Sequence, residues 1–270
     1  MSVDLIRQYY EQLVHLEWER LGRHPMEFAI TRRALKQWMP SPPADVLDCG
    51  SGPGRYALML ARRGYRVSLL DLAQGSIDYA VERFAEEGLA YVSAEQGDAT
   101  DLSRYPSESF DTVLMLGPLY HLTNEADRYK ALGGALRILR PGGMLFAAFL
   151  SRYAILRYAI RNHPELILEA PEQLEVFWNT GSLIPRREDG REFISYAIHP
   201  KDIAPLLDRT GFRMISQLGV EGLTSHISEK LNQASQEVWE AWVDLNYEVA
   251  SDPSILGCVE HLLAVARKRH

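Results

Sequence analysis

The sequence predicts an α/β chain organised as a doubly wound, largely parallel sheet. Three observations carry this expectation. Short apolar runs alternate with amphipathic stretches from Ala44 to Leu150, and the turns between them are brief and rich in glycine and proline. A chain of 270 residues that is 46% hydrophobic and 24% charged can build a core without disulfide or metal, and is not disordered.

The elements follow in order. Residues 3–38 read as two helices broken near Gly22 to Pro25. Pro40-Ser41-Pro42-Pro43 then stops the helix, because proline lacks the donor that a helix needs and biases its predecessor towards extended structure. Ala44 to Cys49 reads as a buried strand followed by glycines and a helix over 54–63. Tyr65 to Leu70 is a second strand, with a helix over 75–87. Ala90 to Gln96 and Phe110 to Met115 are the third and fourth, with a helix over 124–139 after the fourth. Pro141-Gly142-Gly143 is a turn that feeds a fifth strand, Met144 to Phe149.

Past Leu150 the rhythm breaks. Residues 151–180 read as helical, and Arg187 to Arg191 as a hairpin-type turn between two strands. A helix over 201–210, a strand from Phe212 to Leu218, a helical stretch over 226–250 and an apolar run from His261 to Ala266 complete the chain. The expected organisation is N-terminal helices over 1–43, a core over 44–150, an inserted lid over 151–199, and a return to the core over 200–270 with a helical insertion at 220–256.

Composition narrows the function. There are 29 basic and 36 acidic side chains, a net charge of −7, which disfavours non-specific nucleic-acid binding. The paired arginines (Arg32-Arg33, Arg62-Arg63, Arg186-Arg187) and Arg267-Lys268-Arg269 are dispersed and form no basic, aromatic-interleaved stripe. Two cysteines, Cys49 and Cys258, fit neither a disulfide framework nor a zinc site, and no metal ligands are nominated. Cys49, at the end of a buried strand, reads as a small core residue rather than a nucleophile. The acidic N-terminus is not a signal peptide, and no apolar run approaches the length of a membrane span. A cytoplasmic protein without membrane or nucleic-acid partners is the expectation, and its oligomeric state is open.

Three strand ends carry chemistry. Asp48-Cys49-Gly50-Ser51-Gly52-Pro53-Gly54 lies between the first strand and its helix, where glycines let backbone N–H groups approach a ligand. The dinucleotide fingerprint is not met, since its third glycine would be Arg55. Asp71 ends the second strand, 17 residues beyond Gly54, where a carboxylate can accept ribose hydroxyls. Asp98, in Gly97-Asp98-Ala99-Thr100, follows the third strand, where a carboxylate can accept from an exocyclic adenine amine.

Together with Leu116-Gly117-Pro118-Leu119-Tyr120-His121-Leu122 and Leu139-Arg140-Pro141-Gly142-Gly143, these segments resemble the class I S-adenosylmethionine-dependent methyltransferases. The resemblance covers residues 44–150 by motif and 200–218 and 261–268 by pattern. It implies a Rossmann-like seven-stranded sheet whose last strand, supplied by His261 to Ala266, is antiparallel. It also implies S-adenosylmethionine as cofactor, with S-adenosylhomocysteine as product. By position, Asp48, Gly50 and Gly52 match the loop at the methionine end, and Asp71 matches the ribose acid with Leu72 flanking the adenine. Asp98 and Ala99 match the adenine pair, and Leu116 lies beside the cofactor.

On the acceptor side, Tyr10, Tyr120, His121 and Trp178 are the candidate substrate-binding residues, and His121 is the candidate general base. Tyr9 and Tyr10 read either as a cover over the cofactor or as helix-core aromatics. Phe177-Trp178 and Phe193 to Tyr196 read either as pocket lining or as lid packing. Gly117-Pro118-Leu119-Tyr120 is not the Asn/Asp-Pro-Pro-Tyr motif of amino-group methylation. The expected function is methyl transfer to a small-molecule acceptor by in-line displacement. The alternatives are a cofactor-binding relative without transferase activity and a nicotinamide-dependent oxidoreductase.

Overall fold

The structure is a computed structural model, and it describes residues 2–183, 193–225 and 229–269. Its centre is a parallel sheet. Strands β1 (Asp45–Cys49), β2 (Arg66–Asp71), β3 (Ser93–Gln96), β4 (Phe110–Met115) and β5 (Leu139–Ser151) lie in the order β3-β2-β1-β4-β5. All four neighbouring pairs are parallel. The β4–β5 register jumps from Phe110↔Leu139 to Thr112↔Met144, so Arg140 to Gly143 bulge out where the Pro-Gly-Gly turn is expected. On the far side of β5, β9 (His261–Lys268) pairs antiparallel and carries β8 (Phe212–Gly219) beyond it. These seven strands are the sheet that the resemblance implies.

Among the described residues, two further strands extend this sheet. Strand β5 runs past the core to Ser151, which leaves its last two residues with a free edge. There β7 (Ser195–Ile198) pairs in parallel, and β6 (Ser182–Leu183) pairs antiparallel with β7. Ser182–Leu183 and Ser195–Ile198 are therefore stitched into the sheet. The expected turn at Arg187 to Arg191 falls outside the described residues.

Helices cover both faces, so the central strands are buried on both sides and read as continuous apolar runs. Alternate residues diverge. Val46 and Leu69 join a core with Ile30 and Leu35 of α3 (Pro25–Trp38), Leu58 of α4 (Arg55–Ala61) and Phe84 of α5 (Gln74–Glu86). Leu47 and Leu70 join the opposite core with Leu132 of α6 (Glu125–Ile138) and Leu207 of α10 (Ile203–Arg209). Helix α6 begins at a side-chain cap, Asn124, which accepts from the Ala126 N–H.

The N-terminal segment is three helices, not two: α1 (Ser2–Glu11), α2 (Val14–Arg23) and α3. The break at Gly22–Pro25 is where the sequence places it, and a second falls at Gln12–Leu13. Tertiary contacts make that second break. Leu13 turns inward and is buried. Glu11 is drawn to the start of α5, where its carboxylate accepts from the Gln74 and Gly75 N–H groups at 2.7 and 2.9 Å. The stretch after β5 divides into α7 (Arg152–Asn162), α8 (Leu166–Glu169) and α9 (Pro171–Thr180). In the later insertion, α11 (Glu229–Asn232) precedes α12 (Gln236–Val249), which packs on α3 through Arg33 with Glu240 and Asp244 and through Tyr247 with Gln37. Among the described residues, no helix is long and apolar enough to cross a membrane.

Candidate active site

The C-terminal ends of β1, β2, β3 and β4 open into one cleft, which α1 and α2 wall on the other side. It encloses about 1090 Å³ of empty space, the open solvent at its mouth included. Its lining includes every residue expected at the cofactor: Asp48, Gly50, Gly52, Asp71, Leu72, Asp98, Ala99 and Leu116. Tyr10, Tyr120 and His121 also line it. Trp178 does not. It is 42% exposed on α9, its ring 6.1 Å from that of Tyr153 and 6.4 Å from that of His199. Packing against Tyr153 and His199 holds it there, which corrects the expectation that it lines the acceptor site.

The glycine loop is shaped by backbone demands. Gly50, Gly52 and Gly54 all have positive φ. A Cβ on Gly50 would lie 2.6 Å from Pro118 Cδ, so the loop after β4 packs directly on this glycine. A Cβ on Gly52 would meet nothing within 4 Å, because that side is the cleft. Asp71 fixes the loop from below. Its Oδ2 accepts from Gly52 N–H at 2.7 Å and its Oδ1 from Ala73 N–H at 2.9 Å.

Buried acids set the electrostatics. Burial, reinforced by Asp71, pushes Asp48 up to about 7, and its Oδ2 has no hydrogen-bond partner. Burial also raises Asp71 to about 6, against the two backbone N–H groups that favour its ionised form. A buried, unpartnered carboxylate oxygen beside an open glycine loop calls for a cationic, hydrogen-bonding ligand. The ammonium and sulfonium centres of S-adenosylmethionine answer that demand, and the carboxylate of Asp71 suits a vicinal diol, so the residues present fit this cofactor. Cys49 is fully buried and burial drives its thiol up, in keeping with a core role.

The acceptor end is built from parts far apart in the chain. The Tyr10 hydroxyl lies 2.6 Å from His121 Nε2, and His121 Nδ1 lies 2.8 Å from the Ile194 carbonyl oxygen. Phe193 packs its ring 5.2 Å from His121 and 5.8 Å from Tyr9. Thus α1, the loop after β4 and the inserted segment meet at His121, which is buried.

Sequence reading missed a charged wall beside them. Glu17 and Arg20 of α2 line the cleft. Arg20 donates two hydrogen bonds to Glu27, at 2.7 and 2.9 Å, and lies 3.5 Å from Glu17. Burial opposes ionisation of Glu27, but Arg20 and His261 overcome it and hold its carboxyl at about 2. Behind them, His261 Nδ1 lies 2.6 Å from Glu221 Oε1. Burial disfavours the imidazolium, yet Glu27 and Glu221 raise His261 to about 9. Ligand atoms of Glu27, Glu221 and His261 fall within 4.8 Å of one another. Arg20 takes both oxygens of Glu27, and the His261 ring and two backbone N–H groups take those of Glu221, so the cluster is an ion network. Only the i, i+3 spacing of Glu17 and Arg20 was visible beforehand.

Residues 46–143 match the family described as methyltransferase domain. This match, and the methyltransferases among the relatives, support the class I S-adenosylmethionine-dependent methyltransferase superfamily for this part of the chain. The same match supports S-adenosylmethionine over a nicotinamide as the cofactor. The uncharacterized methyltransferase YodH of Bacillus subtilis is 35% identical over 126 residues, 46% of this chain and 51% of that protein. The chain therefore spans about half the length of that relative. The tRNA 5-carboxymethoxyuridine methyltransferase of Escherichia coli K12 is 23% identical over 83% of this chain and 79% of its own. The 1,6-didemethyltoxoflavin-N1-methyltransferase of Burkholderia thailandensis, solved with bound 1,6-didemethyltoxoflavin and S-adenosylhomocysteine, is 15% identical and shares the fold. Its TM-score is 0.60, with 99% of this chain and 88% of that one covered.

Proposed function

We propose that this chain transfers the methyl group of S-adenosylmethionine to a small-molecule acceptor, in the cytoplasm. The observation that carries the reading is one cleft lined both by Asp48, Asp71 and Asp98 and by Tyr10, Tyr120 and His121. The cofactor supplies an already activated methyl group. The protein's part is to align the acceptor and keep water out, which is equivalent to about 10⁵–10⁸ M of effective concentration. Asp48, Gly50 and Gly52 hold the methionine end, Asp71 the ribose, Leu72, Asp98 and Ala99 the adenine, and Leu116 lies alongside. Helices α1 and α2 roof the cleft, and His121 serves as base. The buried, walled acceptor end and the net charge of −7 favour a small acceptor over a polymer.

The test is calorimetric titration with S-adenosylhomocysteine. Asp71→Asn should weaken binding by about 10–100-fold, the worth of one hydrogen bond to a charged group, about 1.5–3 kcal/mol. Unchanged affinity removes the central support. A nucleic-acid acceptor is the second reading, favoured by the long alignment with the E. coli tRNA enzyme. It predicts RNA binding that weakens steeply with salt, and a small acceptor predicts none.

A further inference from the structure

We infer that Tyr10 is a further catalytic residue, working as a proton relay to His121, and that the acceptor is a hydroxyl compound of the phenol or enol class. The inference rests on the methyl-transfer reading above and adds the acceptor atom to it.

The geometry fixes the direction of the relay. A carbonyl oxygen can only accept, so the Ile194 carbonyl requires the proton of a neutral His121 to sit on Nδ1. Nε2 is then an acceptor, and the partner 2.6 Å away, the Tyr10 hydroxyl, is its donor. A base oriented by one group and hydrogen-bonded to a hydroxyl through its other nitrogen is the arrangement used to move protons from reacting hydroxyls. Both residues line the cleft, and the Tyr10 hydroxyl is the group in contact with the imidazole Nε2 there. Burial raises Tyr10, with Tyr120, Glu17 and Tyr9 adding to the effect and Arg20 opposing it. Tyr10 thus stays protonated as a conduit, and the imidazole is the sink. Glu17 competes poorly for the role, since it faces the Arg20 guanidinium at 3.5 Å.

The chemistry selects the acceptor. An amine methylated through its lone pair gives an ammonium ion, which sheds its proton to water afterwards. A thiol ionises near neutrality unaided. A hydroxyl methylated without a base would become a strongly acidic oxonium, so it needs its proton removed as the bond forms. In the balanced step, the acceptor proton passes to Tyr10 Oη as the Tyr10 proton passes to His121 Nε2. The acceptor oxygen forms the C–O bond, the C–S bond breaks, and its electron pair stays on sulfur as a neutral thioether. The imidazolium then returns its proton to solvent.

The probe is 4-nitrophenol, whose phenolate absorbs in the visible, added to the protein saturated with S-adenosylhomocysteine at a pH where the free probe is mostly neutral. Binding should ionise it, and Tyr10→Phe and His121→Asn should each abolish the colour while leaving homocysteine-cofactor affinity within a few-fold. With S-adenosylmethionine in place of the product, the probe should be consumed. Each variant should then lower kcat by about 10²–10⁴-fold and leave KM nearly unchanged. Nitrogen NMR of the His121 ring in the protein alone should show the Nδ1–H tautomer. The relay is overturned by an Nε2–H tautomer, by a probe that binds neutral or not at all to the saturated protein, or by full activity in Tyr10→Phe. Failure to bind S-adenosylhomocysteine would instead strike the methyl-transfer reading itself.

Discussion

Adding one methyl group at Gly50 or at Gly52 should damage two different properties. Both glycines have positive φ, +75° and +51°, so alanine at either costs about 1–2 kcal/mol of backbone strain. At Gly50 the new Cβ also lies 2.6 Å from Pro118 Cδ and 3.1 Å from Pro118 Cγ. A proline ring cannot swing aside, so overpacking adds about 1–3 kcal/mol. The Gly50→Ala total is about 2–5 kcal/mol, or about 4–20 °C in Tm at about 2–4 °C per kcal/mol for a large domain. At Gly52 the space is open, and Tm should fall by only about 2–8 °C. That open space belongs to the cleft, so Gly52→Ala should lose S-adenosylhomocysteine affinity out of proportion to its stability. Scanning calorimetry with titration calorimetry reads both effects. Equal Tm losses, or native affinity in Gly52→Ala, would refute the placement of this loop.

Other consequences follow from the buried charges and the α1 clasp. Burial raises Asp48 to about 7 in the free protein, and a cationic ligand favours its ionised form. S-adenosylhomocysteine affinity should therefore strengthen with pH below about 7, by up to tenfold per unit, and level off above; titrations from pH 5 to 8 should show this, and Asp48→Asn should flatten it. His261 has the opposite sign. Raised to about 9 by Glu27 and Glu221 against its burial, it contributes about 3 kcal/mol that is fully present below about pH 6.5. That contribution is lost as pH rises through 9. Denaturant melts should decline over that window, and His261→Gln should remove much of the slope. Glu11→Ala deletes two bonds at the start of α5, a loss of about 0.5–2 kcal/mol. Hydrogen exchange should rise in α1, and cofactor-product affinity should fall with it.

What the sequence revealed was local, and what it hid was not. Asp48, Asp71 and Asp98 stand at the ends of successive strands, so strand periodicity and glycine spacing were enough to bring them to one edge. All three line the cleft. The buried runs of β1, β4 and β5 were legible for the same reason, since a strand covered on both faces is apolar throughout. Tyr10 and His121 were each visible as candidates, but their hydrogen bond joins residues 111 apart and depends on how α1 lies across the sheet. The network of Arg20, Glu27, Glu221 and His261 spans α2, α3 and β9, and nothing local marks its members. Trp178 misled because an aromatic in an insertion gives no sign of its facing. Tyr153 and His199 decided that. The extra strands β6 and β7 arose from the length of β5, whose end offers an edge only once β4 has stopped at Met115↔Ala147.

The most direct test of the central claim is the thermal shift of the unmodified protein with S-adenosylhomocysteine, S-adenosylmethionine and NAD in parallel. A ligand at 100 times its Kd stabilises by about 2.7 kcal/mol, several degrees in Tm. The account predicts that shift with the first two and none with NAD. A shift with NAD alone, or no shift with either sulfur ligand, would contradict it.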